Sequence, residues 1–235
     1  MVKRAIKLKR KVAIFDIDGT IFRSSLLIEL VEALIDRGVF PEEAWNGYRR
    51  EERAWFERKG SYEVYVDALI KTFRKHLKGV YYADFAGVSK EVVAHSQNRV
   101  YRYTRDFVLD LKERGYFLLA ISQSPKTVVE SFAKQLGFDK VYGRIYELGP
   151  EDRFTGDIVD LHLIENKANI VRRAVDREGL TLKGSYGVGD TEGDIPMLEL
   201  VERAIAFNPN AKLYRHARRM GWHIVVERKD VVYKF

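Results

Sequence analysis

The 235-residue chain is long enough to bury a sizeable core, and its 46% hydrophobic content is ordinary for a globular protein. It has no cysteine, which excludes disulfides and thiol catalysis, and no uninterrupted apolar run long enough to cross a bilayer. The net charge of +7 favours anionic ligands, but the cations are scattered along helical faces and read as solvated surface; no nucleic-acid partner is expected.

The basic opening segment MVKRAIKLKRK lacks the apolar stretch of a secretory leader and reads as a solvated edge. A cytoplasmic address without a membrane partner is the expectation. Residues 12–15 (VAIF) then form a continuous apolar run, the pattern of a strand buried on both faces of a parallel sheet. Asp16 and Asp18 follow two apart, so in extended chain their carboxylates share one face, and Gly19 and Thr20 open a tight turn. An unpaired buried carboxylate is strongly disfavoured, so such a pair needs water or a cation.

From residue 23 to 105 helical periodicity takes over. Leu26, Leu27, Leu30, Val31, Leu34 and Ile35 recur at helical spacing up to Gly38. Pro41 suits the first turn of a second helix bearing Trp45, Tyr48, Trp55 and Phe56. Ser61 is placed to cap a third helix carrying Tyr65, Leu69, Phe73 and Leu77, and Ser89 to cap a fourth running through Val100 to Leu111. The aromatic stripes read as helix–helix packing.

Strand–helix alternation resumes at residues 116–121 (YFLLAI), a second buried strand ending at Ser122. Ser124 and Pro125 read as the N-cap and first-turn proline of the next helix, and residues 141–147 and 154–159 as a hairpin. Lys167 opens a helix; residues 184–189 form a short strand ending in Asp190; residues 204–207 and 223–226 are further strands. The fold class this predicts is α/β, a doubly wound Rossmann-like parallel sheet, with core residues 1–22 and 106–235 and an all-helical cap at 23–105. His76, His95, His162, His216 and His223 show no metal-ligand spacing.

In an open α/β sheet ligands bind outside the carboxyl ends of the strands, where Asp16/Asp18, Ser122, Lys167 and Asp190/Asp194 all fall. The acids suit a hard cation such as Mg²⁺, while the hydroxyl, the lysine and the helix N-termini suit an anion. A metal-plus-phosphate site satisfies both. A carboxylate about 4 Å from one phosphate charge is repelled by roughly 4 kcal/mol at an effective dielectric near 20, so attack by Asp16 on phosphorus needs cations. Mg²⁺ and Lys167 would supply them. Asp16 would then form an aspartyl-phosphate, and Asp18 would protonate the leaving oxygen and deprotonate water. Ser122, Gln123 and Lys167 are the phosphate-binding candidates.

These motifs resemble those of the haloacid dehalogenase (HAD) superfamily, specifically its phosphoserine-phosphatase-like branch, subfamily IB. DIDGT from Asp16 is similar to the first motif, the strand ending at Ser122 to the second, Lys167 to the third, and Gly189, Asp190 and Asp194 to the fourth. SPKTVVESFAKQLGF, FTGDI and GDTEGDIPMLELVERAIAFNPNAKL add to the likeness. The resemblance implies a C1-type helical cap and a phosphomonoester hydrolase acting on a small phosphorylated metabolite. It implies a magnesium held by Asp16, the backbone carbonyl of Asp18 and Asp190, with Gly19, Thr20, Gly189 and Asp194 in support.

Two departures from that branch bear on the substrate. Ser25 stands where phosphoserine phosphatases place a glutamate for the substrate's amino group, with Glu29 one helical turn later, and Gly193 stands where asparagine is common. Both weigh against phosphoserine itself. Arg49, Arg50, Arg53 and Arg58 read as solvated surface; Arg53, with Ser25 and Glu29, is carried forward as a substrate-side candidate. The alternatives are a phosphotransferase to an alcohol acceptor and a non-catalytic phosphate- or nucleic-acid-binding module. Asp16-x-Asp18 lacks the later acids of a calcium loop, Gly187-x-Gly189 lacks the third glycine of a dinucleotide fingerprint, and no GxxxxGK[ST] occurs.

Overall fold

The computed structural model describes residues 9–160 and 166–235; the basic segment before residue 9 and His162 lie outside the described residues. A strand with no polar side must be covered on both faces, and the apolar run ending in Asp16 accordingly takes the middle of a sheet. That strand, β1 (Lys11–Phe15), pairs in parallel with β2 (Phe117–Pro125) on one side and β5 (Thr181–Gly189) on the other. Beyond β2 lies parallel β3 (Lys140–Leu148), and beyond β5 lie parallel β6 (Arg203–Phe207) and β7 (His223–Arg228). Antiparallel β4 (Phe154–Val159) and β8 (Val231–Lys234) finish the edges, giving the order β4-β3-β2-β1-β5-β6-β7-β8. The expected hairpin is the β3–β4 pair. Strand β8 was not anticipated: its side chains are mostly exposed, so it carries no burial alternation.

The winding is double, as the alternation predicted. Ala13 and Phe15 join a hydrophobic cluster on one face, and Val12 and Ile14 join a second cluster on the other. Helices α1 (Leu26–Asp36), α2 (Arg49–Phe56), α3 (Tyr62–Leu77), α4 (Tyr82–Ser96), α5 (Arg102–Glu113) and α6 (Lys126–Gln135) follow one another up to β3, and all except α2 bury residues in the first cluster. The second face is covered by α7 (Lys167–Glu178), the short α8 (Ile195–Leu198) and α9 (Ala211–Met220). The helical segment is therefore continuous in packing with the sheet: Phe73 meets Tyr146 with ring centroids 5.3 Å apart, and Phe85 meets Phe154 at 5.0 Å. No helix among the described residues is long and apolar enough to cross a membrane.

Within that segment three helix expectations need correction. Ser89 caps nothing; it sits inside α4 and its hydroxyl donates to the Phe85 carbonyl at 2.8 Å. The long fourth helix is two, because Arg99 and Tyr101 exchange backbone hydrogen bonds with Arg23 and Ile21, which takes the chain out of helical register. The expected cap boundary at residue 105 falls inside the second of the two, α5. The helix expected from Pro41 is a 3₁₀ turn (Glu42–Gly47) followed by α2, broken at Tyr48, whose ring is fully buried. Ser61 does cap α3, accepting from the Val64 N–H at 3.3 Å.

Candidate active site

Asp16 leaves β1 at the carboxyl edge of the sheet, its N–H bonded to the Val188 carbonyl of β5. The chain then turns through Gly19, whose φ of +77° suits glycine and whose missing Cβ leaves room for the Asp190 carboxylate. Asp190 follows the end of β5, so the two strands flanking the point where the winding reverses deliver both acids to one place. Gly189 is needed for the same reason, since a Cβ there would overlap Asp194.

Lys167, at the first turn of α7, is the cation among these acids. Its Nζ donates to Asp16 Oδ1 and to Asp194 Oδ1, both at 2.6 Å, and it is 5% exposed. Burial alone would lower its pKa, but the two carboxylates outweigh burial and hold it well above the usual lysine value. Asp194 is saturated: its Oδ2 accepts the Asp190 and Thr191 N–H groups at 3.0 Å, shaping the turn that presents Asp190. Asp190 accepts from Thr20 Oγ1 at 3.3 Å.

Asp16 is asymmetric. Oδ1 is fixed by Lys167, while Oδ2 is buried without a hydrogen-bond partner among the described residues. Burial pushes its pKa up to about 7, with Asp194 and Asp18 adding to the rise and Lys167 opposing it. Asp190 is raised well above the carboxylate range, first by burial and then by Asp16 and Asp194. Asp16, Asp190 and Asp194 each offer an oxygen within 4.8 Å of the others. With both Asp194 oxygens engaged, Asp16 Oδ2 and Asp190 are the donors left for a cation, and two adjacent carboxylate oxygens in a dry site fit a hard divalent ion.

Asp18 is held by a different set of partners. Its Oδ1 accepts the Leu26 N–H at 2.6 Å, at the positive end of α1, and its Oδ2 accepts Ser122 Oγ at 2.5 Å and Ser124 Oγ at 2.9 Å. Ser124 was expected to cap α6; instead β2 runs on to Pro125 and the hydroxyl belongs to the site. Ser122, expected to hold phosphoryl oxygens, bonds Asp18. Ser122 and Ser124 are two apart on one extended strand, the spacing that placed Asp16 and Asp18 on a common face, so Ser124 could have been found by the same rule.

The remaining candidates sit apart from this group of contacts. Gln123 is exposed and accepts from Arg144. Ser25 is the N-cap of α1, accepting the Leu27 N–H at 3.2 Å, which gives it a structural task. Glu29 pairs with Arg99 at 2.7 Å, and Arg53 is exposed on α2 beside Arg49 and Arg50. Sequence reading missed Tyr62, the first residue of α3. Its ring meets Trp55 at 5.4 Å and Tyr65 at 6.2 Å between centroids, and burial, followed by the charges of Asp18, Asp190 and Asp16, raises its phenol pKa although the residue is 39% exposed. Nothing in sequence marks a tyrosine one residue after a cap as lying in the field of acids at two distant strand ends. Beside it Lys212 joins Glu63 of α3 at 3.6 Å to Glu192 of the Asp190 turn at 2.6 Å.

A Mycobacterium leprae protein, ML2424, is 35% identical over 136 residues, 57% of this chain and 44% of that one. The phosphoserine phosphatase SerB1 of Mycobacterium tuberculosis is 28% identical over 217 residues, 90% of this chain and 69% of that one. The chain thus spans under half of the first relative and about two thirds of the second. A solved Bordetella pertussis protein of unknown function superposes with a TM-score of 0.70 at 21% identity, covering 92% of this chain and 98% of that one. Residues 13–199, from β1 past the Asp190 turn, match the haloacid dehalogenase-like hydrolase family, and the chain belongs to that family.

Proposed function

We propose that the chain is a Mg²⁺-dependent phosphomonoester hydrolase acting on a small phosphorylated metabolite through an aspartyl-phosphate on Asp16. The observation that carries this reading is the division of labour on Asp16, one oxygen fixed by Lys167 and the other buried and unpartnered beside Asp190. The carboxylate of Asp16 attacks phosphorus and the ester P–O bond breaks. Asp18 gives its proton to the departing alkoxide, then takes one from the water that cleaves the aspartyl-phosphate and restores Asp16. Lys167 favours the ionised form of Asp16 and orients it, and the Ser122 and Ser124 hydroxyls can turn from Asp18 to phosphoryl oxygens. Held by Asp16 and Asp190, Mg²⁺ would supply the positive charge that offsets repulsion between carboxylate and phosphate.

Residues 23–105 would act as the cap on an α/β core of 1–22 and 106–235, limiting the site to small substrates. The phosphoserine phosphatase among the relatives supports a phosphate ester as substrate. Ser25 as a helix cap and Gly193 in place of asparagine argue against phosphoserine itself. The test is release of inorganic phosphate from an aryl phosphate and a panel of phosphorylated metabolites, with Mg²⁺ and with a chelator. Turnover only with the divalent ion is expected; no turnover of any ester with Mg²⁺ present defeats the proposal.

A second expectation concerns pH. The raised pKa values mean that the folded, cation-free chain keeps protons on Asp16 and Asp190 where the unfolded chain has lost them. Their contribution to stability therefore falls as pH climbs from the ordinary carboxylate range to about 7. Mg²⁺ should relieve that loss, so the gain in thermal midpoint on replacing chelator by Mg²⁺ should be larger at pH 8 than at pH 5. An equal gain at both would count against these acids as the ligands.

A further inference from the structure

A second concentration of unpaired charge lies on α3 where it meets the edge strand β4. Tyr65, Leu69, Phe73 and Leu77 are buried and fix which side of this helix turns outward. On the outward side Lys71, Arg74, Lys75 and Lys78 follow at i, i+3, i+4 and i+7, a stripe about 10 Å long at 1.5 Å per residue. All four are exposed. They line a groove of about 640 Å³ whose other wall is Thr155, Gly156 and Asp157 of β4. Gly156, at φ +93°, brings the strand's backbone against the stem of Lys78, where an added Cβ would sit 3.4 Å from the lysine's own.

Such a stripe works against its own helix. Lys71 neighbours Arg74 and Lys75, and Lys78 neighbours the same two, so every adjacent pair is repulsive. None of the four makes a hydrogen bond or ion pair among the described residues, although Asp67 and Asp157 line the same groove. The negative end of the helix favours cations in its last turn, which holds Arg74 and Lys75. That pull accounts neither for Lys71, one turn earlier, nor for the convergence of all four on one groove. In two other basic grooves the cations are partly committed: Arg49 stacks on Trp45 and Lys59 pairs with Glu57 at 2.7 Å, while Lys212 pairs with Glu192 at 2.6 Å.

Four cations in a row match a ligand that carries several negative charges in a row. The groove offers one large apolar side chain, Ile70, and no aromatic ring, so a nucleobase would find nothing to stack on. A chain of condensed phosphates needs no such contact, and its closely spaced oxygens can accept from each ammonium and guanidinium in turn. The groove is set apart from the catalytic acids. Glu63, which Lys212 ties to the Asp190 turn, lies eight residues before Lys71, about 12 Å along the helix. We propose that Lys71, Arg74, Lys75 and Lys78 form a binding site for a condensed phosphate chain, separate from the catalytic centre and independent of the phosphatase reading.

The experiment is titration calorimetry with tripolyphosphate at fixed ionic strength, with chelator present so that no ester or anhydride is turned over. It compares the parent with a groove variant carrying Lys71→Gln, Arg74→Gln and Lys75→Gln. A charge-matched control carries Arg215→Gln, Arg218→Gln and Arg219→Gln, all at exposed positions of α9. The parent should take up one chain per protein, at least about tenfold more tightly than orthophosphate or sulfate. The groove variant should lose about tenfold or more in affinity and the control less than about twofold. No saturable binding by the parent, binding that survives in the groove variant, or an equal loss in the control overturns the proposal. Groove-dependent binding of ATP or of a single-stranded oligonucleotide more tightly than tripolyphosphate overturns it as well. Because the replaced groups are exposed and repel one another, the groove variant should melt no lower than the parent. If it does melt lower, Lys71→Gln alone carries the test: a loss of about threefold or more in affinity upholds the site, and an unchanged affinity removes it.

Discussion

Asp16→Asn is expected to lower phosphomonoester turnover by roughly 10⁴-fold or more while leaving the fold intact. The amide keeps the shape of the carboxyl group, and its carbonyl oxygen can still accept from Lys167, which lies 2.6 Å from Asp16 Oδ1 in the parent. What disappears is the nucleophile, and no other acid in the site can replace it. Asp18 is bound by a backbone N–H and two serine hydroxyls, and Asp194 by Lys167 and two backbone N–H groups. Stability should move the other way. Burial pushes Asp16 up to about 7, so its ionised form is a cost to the cation-free protein above that pH, and the neutral amide removes the cost. At pH 8 with chelator the variant should therefore melt no lower than the parent, and its Mg²⁺-dependent stabilisation should shrink. Phosphate release within tenfold of the parent would mean that Asp16 is not the attacking group.

How much of this was legible in the sequence follows from what kind of signal each part leaves. The buried strands were plain because both faces of β1, β2 and β5 need apolar side chains, and the acids ending β1 and β5 stand out against them. The site residues fixed by strand ends, Asp16, Asp18 and Asp190, and the lysine at a helix start, were reachable for that reason. The break between α4 and α5 was not, because it is made by backbone pairing with residues 21–23, and backbone hydrogen bonds leave no mark on side-chain periodicity. Ser89 and Ser124 were misread alike: a serine before an apolar run suits a cap, but one hydroxyl turned back onto its own helix and the other onto Asp18. The packing of Phe73 on Tyr146 and of Phe85 on Phe154 depends on how the helical segment folds onto the sheet, a tertiary fact that no local spacing encodes.

Lys167→Met should be the most damaging single change to stability, and it should lower activity as well. Four carboxylates, Asp16, Asp18, Asp190 and Asp194, crowd the site, and Lys167 is the cation bonded to two of them. Removing one partner of a buried ion pair leaves charge uncompensated and costs about 3–5 kcal/mol, equivalent to a fall of roughly 6–20 °C in thermal midpoint for a chain of this size. The fall should be steepest at pH 8 and small near pH 5, because protonating Asp16 and Asp190 relieves the same repulsion that the lysine relieved. Activity should drop by about 10²-fold or more even under conditions where the variant is folded, since the nucleophile loses its orienting donor and the phosphoryl group a counter-charge. The two effects can be separated by adding Asp194→Asn. That removes one of the stranded acids, so the double variant should regain part of the lost stability; turnover should stay low, because neither the donor to Asp16 nor its charge returns. Near-normal turnover by a folded Lys167→Met protein would show that the ammonium serves packing alone, and the charge balance on which attack by Asp16 depends would then have to come from elsewhere.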